Sequence, residues 1–212
     1  MKIFLPKKIE RYAADFTSPL PPLLEELQRE TVHTMDNPQM LTGVVEGRLL
    51  QMLVTISGAK RVLEIGTFTG FSALMMAEGL SDEGELITCE INREHAAFAR
   101  RYFRRSPHGR KIRLRTGSAV STLKKISDRS IDFIFIDADK VSYPLYYSEA
   151  MRVLRKGGLI AADNALLSGK ALSPDDIDSR AIALFNETVK NDDSAEKVFL
   201  PVRDGVYLIR KR

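Results

Sequence analysis

Three observations predict a doubly wound α/β fold, a mostly parallel sheet with helices on both faces. From Arg61 onward, short apolar runs alternate with amphipathic stretches in a βαβ rhythm. The run IDFIFI at 131–136 is almost continuously apolar, as a central strand covered on both faces must be. The segment EIGTFTG at 64–70 places glycines between the first apolar run and a helical stretch, where such folds turn from strand to helix. With 212 residues, 44% hydrophobic and 28% charged, the chain is most economically one domain, 1–212, made of a helical segment 1–59 and an α/β core 60–212.

The elements follow in order. Ser18-Pro19 and Pro21-Pro22 open a helical run containing Leu23, Leu24 and Leu27, and a second periodic stretch covers 44–56. Strands are predicted at 62–65, 86–89, 112–115, 131–136 and 159–162. A tyrosine-rich helix reaching Leu154 precedes the last of these, and Gly157-Gly158 turns into it. A long helix over about 176–189 leads to two apolar runs, 197–201 and 206–209. Arg203-Asp204-Gly205 between them predicts an antiparallel hairpin at one edge of the sheet. Five strands and a hairpin make seven. Met52, Met75, Met76, Met151 and Cys89 read as core. A single cysteine excludes an intramolecular disulfide, so a reducing, cytoplasmic compartment is expected. No apolar run approaches ~18 residues, and residues 1–8 lack the apolar centre of a signal peptide. The expectation is a protein neither spanning a membrane nor exported by that route.

The turn at 64–70 brings backbone amides toward a ligand. It is not a dinucleotide fingerprint, because Phe68 takes the middle glycine position and no third glycine follows. Glu90 ends the second strand, 26 residues after Glu64, where a carboxylate accepts hydrogen bonds from both hydroxyls of a ribose. A ribose without a pyrophosphate suggests an adenosyl ligand such as S-adenosylmethionine, held by Glu64, Gly66, Phe68 and Glu90. Gly117-Ser118, after the third strand, lies on the same carboxyl-terminal edge and would border an adenine. The alternatives are a ligand-free turn at 64–70 and a plain helix cap at Ser118.

Asp137 ends the fourth strand, and Asp163-Asn164 end the fifth. Two carboxylates and an amide oxygen are hard ligands, suited to Mg²⁺ or Ca²⁺. Zinc lacks its ligands, since the three histidines are scattered and there is one cysteine. In the loop Asp137-Ala138-Asp139-Lys140, a lysine beside a cation would lose its proton more readily and serve as a general base. The alternative is a surface lysine paired with Asp139.

Taken together, these stretches resemble the cation-dependent class I O-methyltransferases, the group of catechol and caffeoyl-CoA O-methyltransferases, in its bacterial branch. The resemblance spans nearly the whole chain. It rests on MLTGVVEGRLLQ (40–51), VLEIGTFTGFSA (62–73), IFIDADK (134–140), GGLIAADNALLSG (157–169) and LPVRDGV (200–206). It implies a seven-stranded, Rossmann-like sheet and S-adenosylmethionine as donor, with S-adenosylhomocysteine as product. It also implies Mg²⁺, or another divalent cation such as Ca²⁺ or Mn²⁺, on Asp137, Asp163 and Asn164. Lys140 matches the family's base and Glu90 its ribose acid. Gly66 and Ser72 match the methionine-side loop, and Thr42 the segment closing over the donor. Asp139 either orients Lys140 or approaches the donor. Gly43-Val44-Val45 departs from the Pro-Glu-Glu of bacterial members. The resemblance also implies a homodimer, with segment 1–59 supplying lid and pairing surface.

The net charge of +4 permits nucleic acid without establishing it. Between 93 and 115, however, stand Arg93, Arg100, Arg101, Arg104, Arg105, Arg110, Lys111, Arg113 and Arg115, against the single acid Glu94. Helical spacing puts Arg100, Arg101, Arg104 and Arg105 opposite Phe98, Ala99, Tyr102 and Phe103. That face is either simply solvated or a stripe for phosphates. The expected activity is therefore methyl transfer to a small catechol-like acceptor with adjacent oxygen donors. The alternative is a transfer-RNA 5-hydroxyuridine acceptor, and a catalytically silent adenosyl-binding module is the third reading. Tyr143, Tyr146 and Tyr147 are expected either in the core or as a substrate wall.

Overall fold

The computed structural model describes residues 6–212, so the first five residues of the predicted segment 1–59, which also open the stretch 1–8 expected to lack a signal peptide's apolar centre, lie outside the described residues. Its seven strands form a mostly parallel sheet, and the chain divides into two compact units. The helix α1 (Lys7–Asp15) precedes both parts of the core.

The unit 12–119 carries α2 (Pro22–Thr34), α3 (Val44–Ser57), β1 (Arg61–Ile65), α4 (Phe71–Gly79), β2 (Glu85–Glu90), α5 (Arg93–Arg105) and β3 (Ile112–Thr116). Its strands lie in the order β3-β2-β1, all parallel, with Leu63 opposite Ile87 and Cys89 opposite Arg115. Proline in the first turn of α2 costs no helical hydrogen bond. At α5, Asn92 accepts from the amides of Glu94 and His95. α3 and α4 approach at two glycines. A Cβ on Gly47 would stand 2.9 Å from the Phe71 ring, and one on Gly79 would stand 2.6 Å from the Gln51 carbonyl oxygen. Met75, Met76 and Cys89 are buried as expected, whereas Met52 is 56% exposed and belongs to no core.

One stretch departs from the sequence expectation. Pro38–Ser57 is 20 residues long and contains an 18-residue window of mean hydropathy 1.2, enough to cross a membrane by length and composition. It is not one helix, however. Gly43 at φ 81° separates a 3-10 turn at Pro38–Met40 from α3. The remaining 14 residues span roughly 21 Å, short of the ~30 Å hydrocarbon layer. Glu46 is buried within α3, and Arg48 bridges Glu78 at 3.1 Å.

The second unit joins the chain before Tyr12 to 120–212. It holds α6 (Ala119–Leu123), β4 (Ile131–Ile136), α7 (Tyr143–Val153), β5 (Leu154–Ala162), α8 (Ile177–Lys190), β6 (Ala195–Leu200) and β7 (Val206–Lys211). The order is β4-β5-β7-β6. β4 and β5 are parallel, and β7 is antiparallel to both β5 and β6. The predicted hairpin is present, its turn held by Arg203 at φ 51° and Gly205 at φ 86°. The glycine pair is placed differently from the prediction. β5 starts at Leu154, so Gly157-Gly158 lie inside it as an irregularity: Ile131 pairs with Leu154, and two residues later Phe133 pairs with Leu159. Gly157 takes φ 77°, and a Cβ on Gly158 would stand 2.9 Å from the Asp132 carbonyl oxygen. Phe185 of α8 anchors the packing, meeting Tyr143 edge-on at 5.4 Å and Tyr147 at 5.8 Å. All three tyrosines, 143, 146 and 147, are buried.

Candidate active site

The predicted site residues fall into two groups, one in each unit. In the unit 12–119, the end of β1 carries Glu64, fully buried. Its carboxylate accepts from Ser72 Oγ and Thr88 Oγ1, each at 2.5 Å. A buried carboxylate is tolerable only when so bonded. This one ties the start of α4 to β2 beneath the loop 66–70. The loop winds through left-handed positions at Gly66 (φ 101°), Phe68 (φ 49°) and Gly70 (φ 91°). A positive φ at phenylalanine is unfavourable and must be held by its surroundings. The holding group is Glu90, whose Oε2 accepts the Phe68 amide at 2.7 Å while Oε1 accepts the Asn92 amide at 2.8 Å. The His95 ring packs edge-on to Phe68 at 4.9 Å. The Gly117 amide bonds the Glu90 carbonyl at 2.8 Å, bringing the end of β3 beside it. Ser118 follows, exposed. Thr42 is buried at the turn that opens α3.

Sequence reasoning overlooked Thr88, Asn92 and His95 here. Asn92 had a signal, an Asx residue just ahead of an amphipathic stretch. Thr88 looks like any β-branched strand residue.

In the second unit, β4 and β5 run in register, Ile136 opposite Ala162. Asp137 and Asp163 therefore leave the sheet side by side, and the Asp163 amide bonds the Ile136 carbonyl at 3.0 Å. Burial pushes the Asp163 carboxyl up to about 7, and the negative charge of Asp137 adds to the shift. Lys140 Nζ donates to Asp137 Oδ1 at 3.0 Å and to the Tyr143 hydroxyl at 3.1 Å. That hydroxyl lies 3.0 Å from the Asp163 carbonyl and 3.3 Å from that of Ile136, so Tyr143 braces both strand ends. Lys140 is thus paired with Asp137. Asp139 accepts instead from the Ser142 amide at 3.2 Å and from the Tyr146 hydroxyl at 2.5 Å. Asn164 takes φ 56°, a conformation asparagine tolerates better than most. Its Nδ2 donates to Asp204 Oδ2 at 3.4 Å, and Asp204 Oδ1 accepts the Ser168 amide at 2.5 Å. Burial raises the Asp204 pKa. Tyr143 was expected in the core or as a substrate wall and Asp204 in the hairpin turn, but the roles they take here were not foreseen, because one is 20 residues and the other 40 residues from the group it holds.

These donors suit a hard divalent cation. Among the described residues no three His, Cys, Asp or Glu side chains gather as a metal cluster. The set is two carboxylates and an amide, and the mutual repulsion of the carboxylates is what a cation would relieve.

Comparison with known proteins places the chain. The family model described as O-methyltransferase matches residues 14–212. "Probable caffeoyl-CoA O-methyltransferase 2" of Dictyostelium discoideum is 32% identical, over 100% of this chain and 94% of its own length. Caffeoyl-CoA O-methyltransferase 2 of Zea mays is 37% identical, over 81% of this chain and 70% of its own length. An O-methyltransferase from Bacillus cereus, crystallised with SAH, superposes with TM-score 0.89 at 30% identity, covering 97% of each chain. SAH-bound PaMTH1 of Podospora anserina superposes with TM-score 0.90 at 26% identity, over 100% of both chains. The chain belongs to the O-methyltransferase family and is an S-adenosylmethionine-dependent enzyme of the caffeoyl-CoA O-methyltransferase type.

Proposed function

We propose that the enzyme methylates one hydroxyl of a small, catechol-like phenolic acceptor that carries a second oxygen donor beside it, with a divalent cation, Mg²⁺ in the first instance. The observation supporting this is the emergence of Asp137 and Asp163 side by side at paired strand ends, with Lys140 held on Asp137. Asp137, Asp163 and the Asn164 amide oxygen would hold the cation. When bound, it supplies a Lewis acid that lowers the pKa of the attacking hydroxyl and fixes its direction. The donor supplies a methyl group on a sulfonium, already activated.

The chain's own residues do the rest. Glu90, fixed by two backbone amides, retains lone pairs for the ribose hydroxyls of the donor. Lys140 Nζ takes the proton of the attacking hydroxyl as the new C–O bond forms, the C–S bond breaks and S-adenosylhomocysteine leaves as a neutral thioether. Tyr143 and Asp137 set where Nζ sits. Positioning of this kind supplies much of the acceleration for an activated electrophile. A reducing, cytoplasmic setting and a homodimer belong to the same reading. The single cysteine and the exposed Met52 and Ile56 of α3 support them.

A second reading, methylation of a transfer-RNA hydroxyuridine, draws on the arginines between 93 and 115. One assay separates the two: transfer from labelled S-adenosylmethionine to catechols and to transfer RNA, each with Mg²⁺ and with EDTA. The proposal expects methylated catechol, lost with EDTA and in Asp163→Ala. Transfer confined to RNA supports the second reading, and metal-independent transfer sinks the mechanism.

A further inference from the structure

The nine basic residues at 93–115 do not form one stripe. Lys111 is buried and donates to the Ala77 and Leu80 carbonyls. Arg101 pairs with Glu30 at 2.7 Å and lies over the Phe98 ring at 4.8 Å. Arg105 pairs with Glu26 at 2.6 Å and lies 5.2 Å from the Tyr102 ring. These two arginines fasten α5 to α2, and Tyr102 joins them by its bond to Glu30.

A different set lines a groove of about 560 Å³ between the end of α5 and β3. Its walls are Arg100, Arg104, Arg110, Arg113 and Arg115, its apolar part includes Phe103 and Leu114, and no acidic residue lines it. Arg100 bonds the neutral Thr116 hydroxyl, at 2.6 Å, and has no acidic partner among the described residues. Arg104 and Arg115 have no acidic partner among the described residues. Arg110 and Arg113 reach Asp82 at 3.1 Å and Glu85 at 3.5 Å, through pairs open enough to water to be weakly held. Arg100 and Arg104 stand one helical turn apart, about 6 Å. Arg113 and Arg115 stand two residues apart on an exposed strand face, about 6.6 Å. A lone arginine on an edge strand guards against strand addition, and one in a last helical turn suits the helix dipole. Neither accounts for two rows facing one groove.

We infer that this groove binds the phosphates of a single-stranded nucleic acid. Guanidinium forks grip phosphate oxygens in pairs, and two rows of them suit successive phosphates better than one isolated anion. An apolar wall beside them suits a base. Binding is inferred whether or not the bound strand is the methyl acceptor, so the test needs no methyl donor and leaves the methyl-transfer reading untouched.

The test is fluorescence anisotropy of a labelled oligouridylate with the full chain over a series of potassium chloride concentrations. Arg104→Gln with Arg115→Gln should weaken binding about tenfold and flatten the log–log salt slope by about 1.4. Arg101→Gln with Arg105→Gln should stay within about twofold of the parent, with circular dichroism confirming that both variants fold. Equal losses in the two double variants would overturn the inference. So would salt-independent binding, no binding by the parent, or equally tight binding of polyglutamate. Binding of tripolyphosphate without the oligonucleotide would assign the groove to free polyphosphate and overturn it as well.

Discussion

The two groups of site residues handle buried negative charge in opposite ways. Around the 66–70 loop every carboxylate is met by donors: Glu64 by two hydroxyls, Glu90 by two backbone amides. At the ends of β4 and β5, Asp163 is buried beside Asp137, and its charge is compensated only in part, by the Asn164 amide at 2.6 Å and by lysine and arginine at longer range. The first arrangement is complete as it stands and shapes a loop. The second is under electrostatic stress, and a stressed carboxylate pair is where added positive charge gains most.

Three changes would break or sharpen that contrast. Asp163→Ala should lower kcat/KM about 10³-fold, the loss expected when several kcal/mol of Lewis-acid stabilisation go with the cation, and isothermal titration with Mn²⁺ should show the cation lost too. Unaltered titration would mean that the stressed pair is not the metal site. Glu90→Gln should raise KM for the donor about tenfold, the worth of one charged hydrogen bond, leaving kcat at saturation nearly unchanged. A fall in kcat alone would place Glu90 outside the donor site.

The smallest effect is on stability. The Asp163 carboxyl lies near 7 in the folded protein and at 3.8 ordinarily, so between these values the folded state binds more protons than the unfolded state. Without metal, its contribution is therefore lost as pH rises from about 4 to 7. Asp163→Asn should flatten that part of the denaturation profile, and an unchanged slope would move the stress elsewhere.

What was legible in the sequence was local. The strands end within a few residues of the predicted positions, because apolar runs and their polar stops are neighbours in the chain. The hairpin was announced by Arg203-Asp204-Gly205, and the end of β4 by Asp137. Contacts across long separations were not legible. Nothing near Arg101 or Arg105 announces Glu30 and Glu26, more than 70 residues earlier. A uniform arginine face was the natural reading until α2 took two of its members. Gly157-Gly158 has the composition of a turn whether it precedes a strand or interrupts one. Only the pairing of Ile131 with Leu154 decides. For Tyr143 and Asp204, residue type gives no clue to a role that depends on which strand end lies opposite.

The contact of α3 with α4 has a bearing on anyone seeking a hardier version of this enzyme. Glycine in a helix gives up about 1 kcal/mol of propensity relative to alanine, so Gly47 and Gly79 would head any ranking of exchanges by local preference. At both, the methyl group would have to occupy volume already taken by a neighbouring helix, and at Gly79 that neighbour is main-chain carbonyl, which cannot rotate aside. Alanine at 79 should push the helices apart and lower the melting temperature, turning a nominal gain into a loss. Thermal tolerance would have to be sought at solvent-facing positions instead, with these two left as they are.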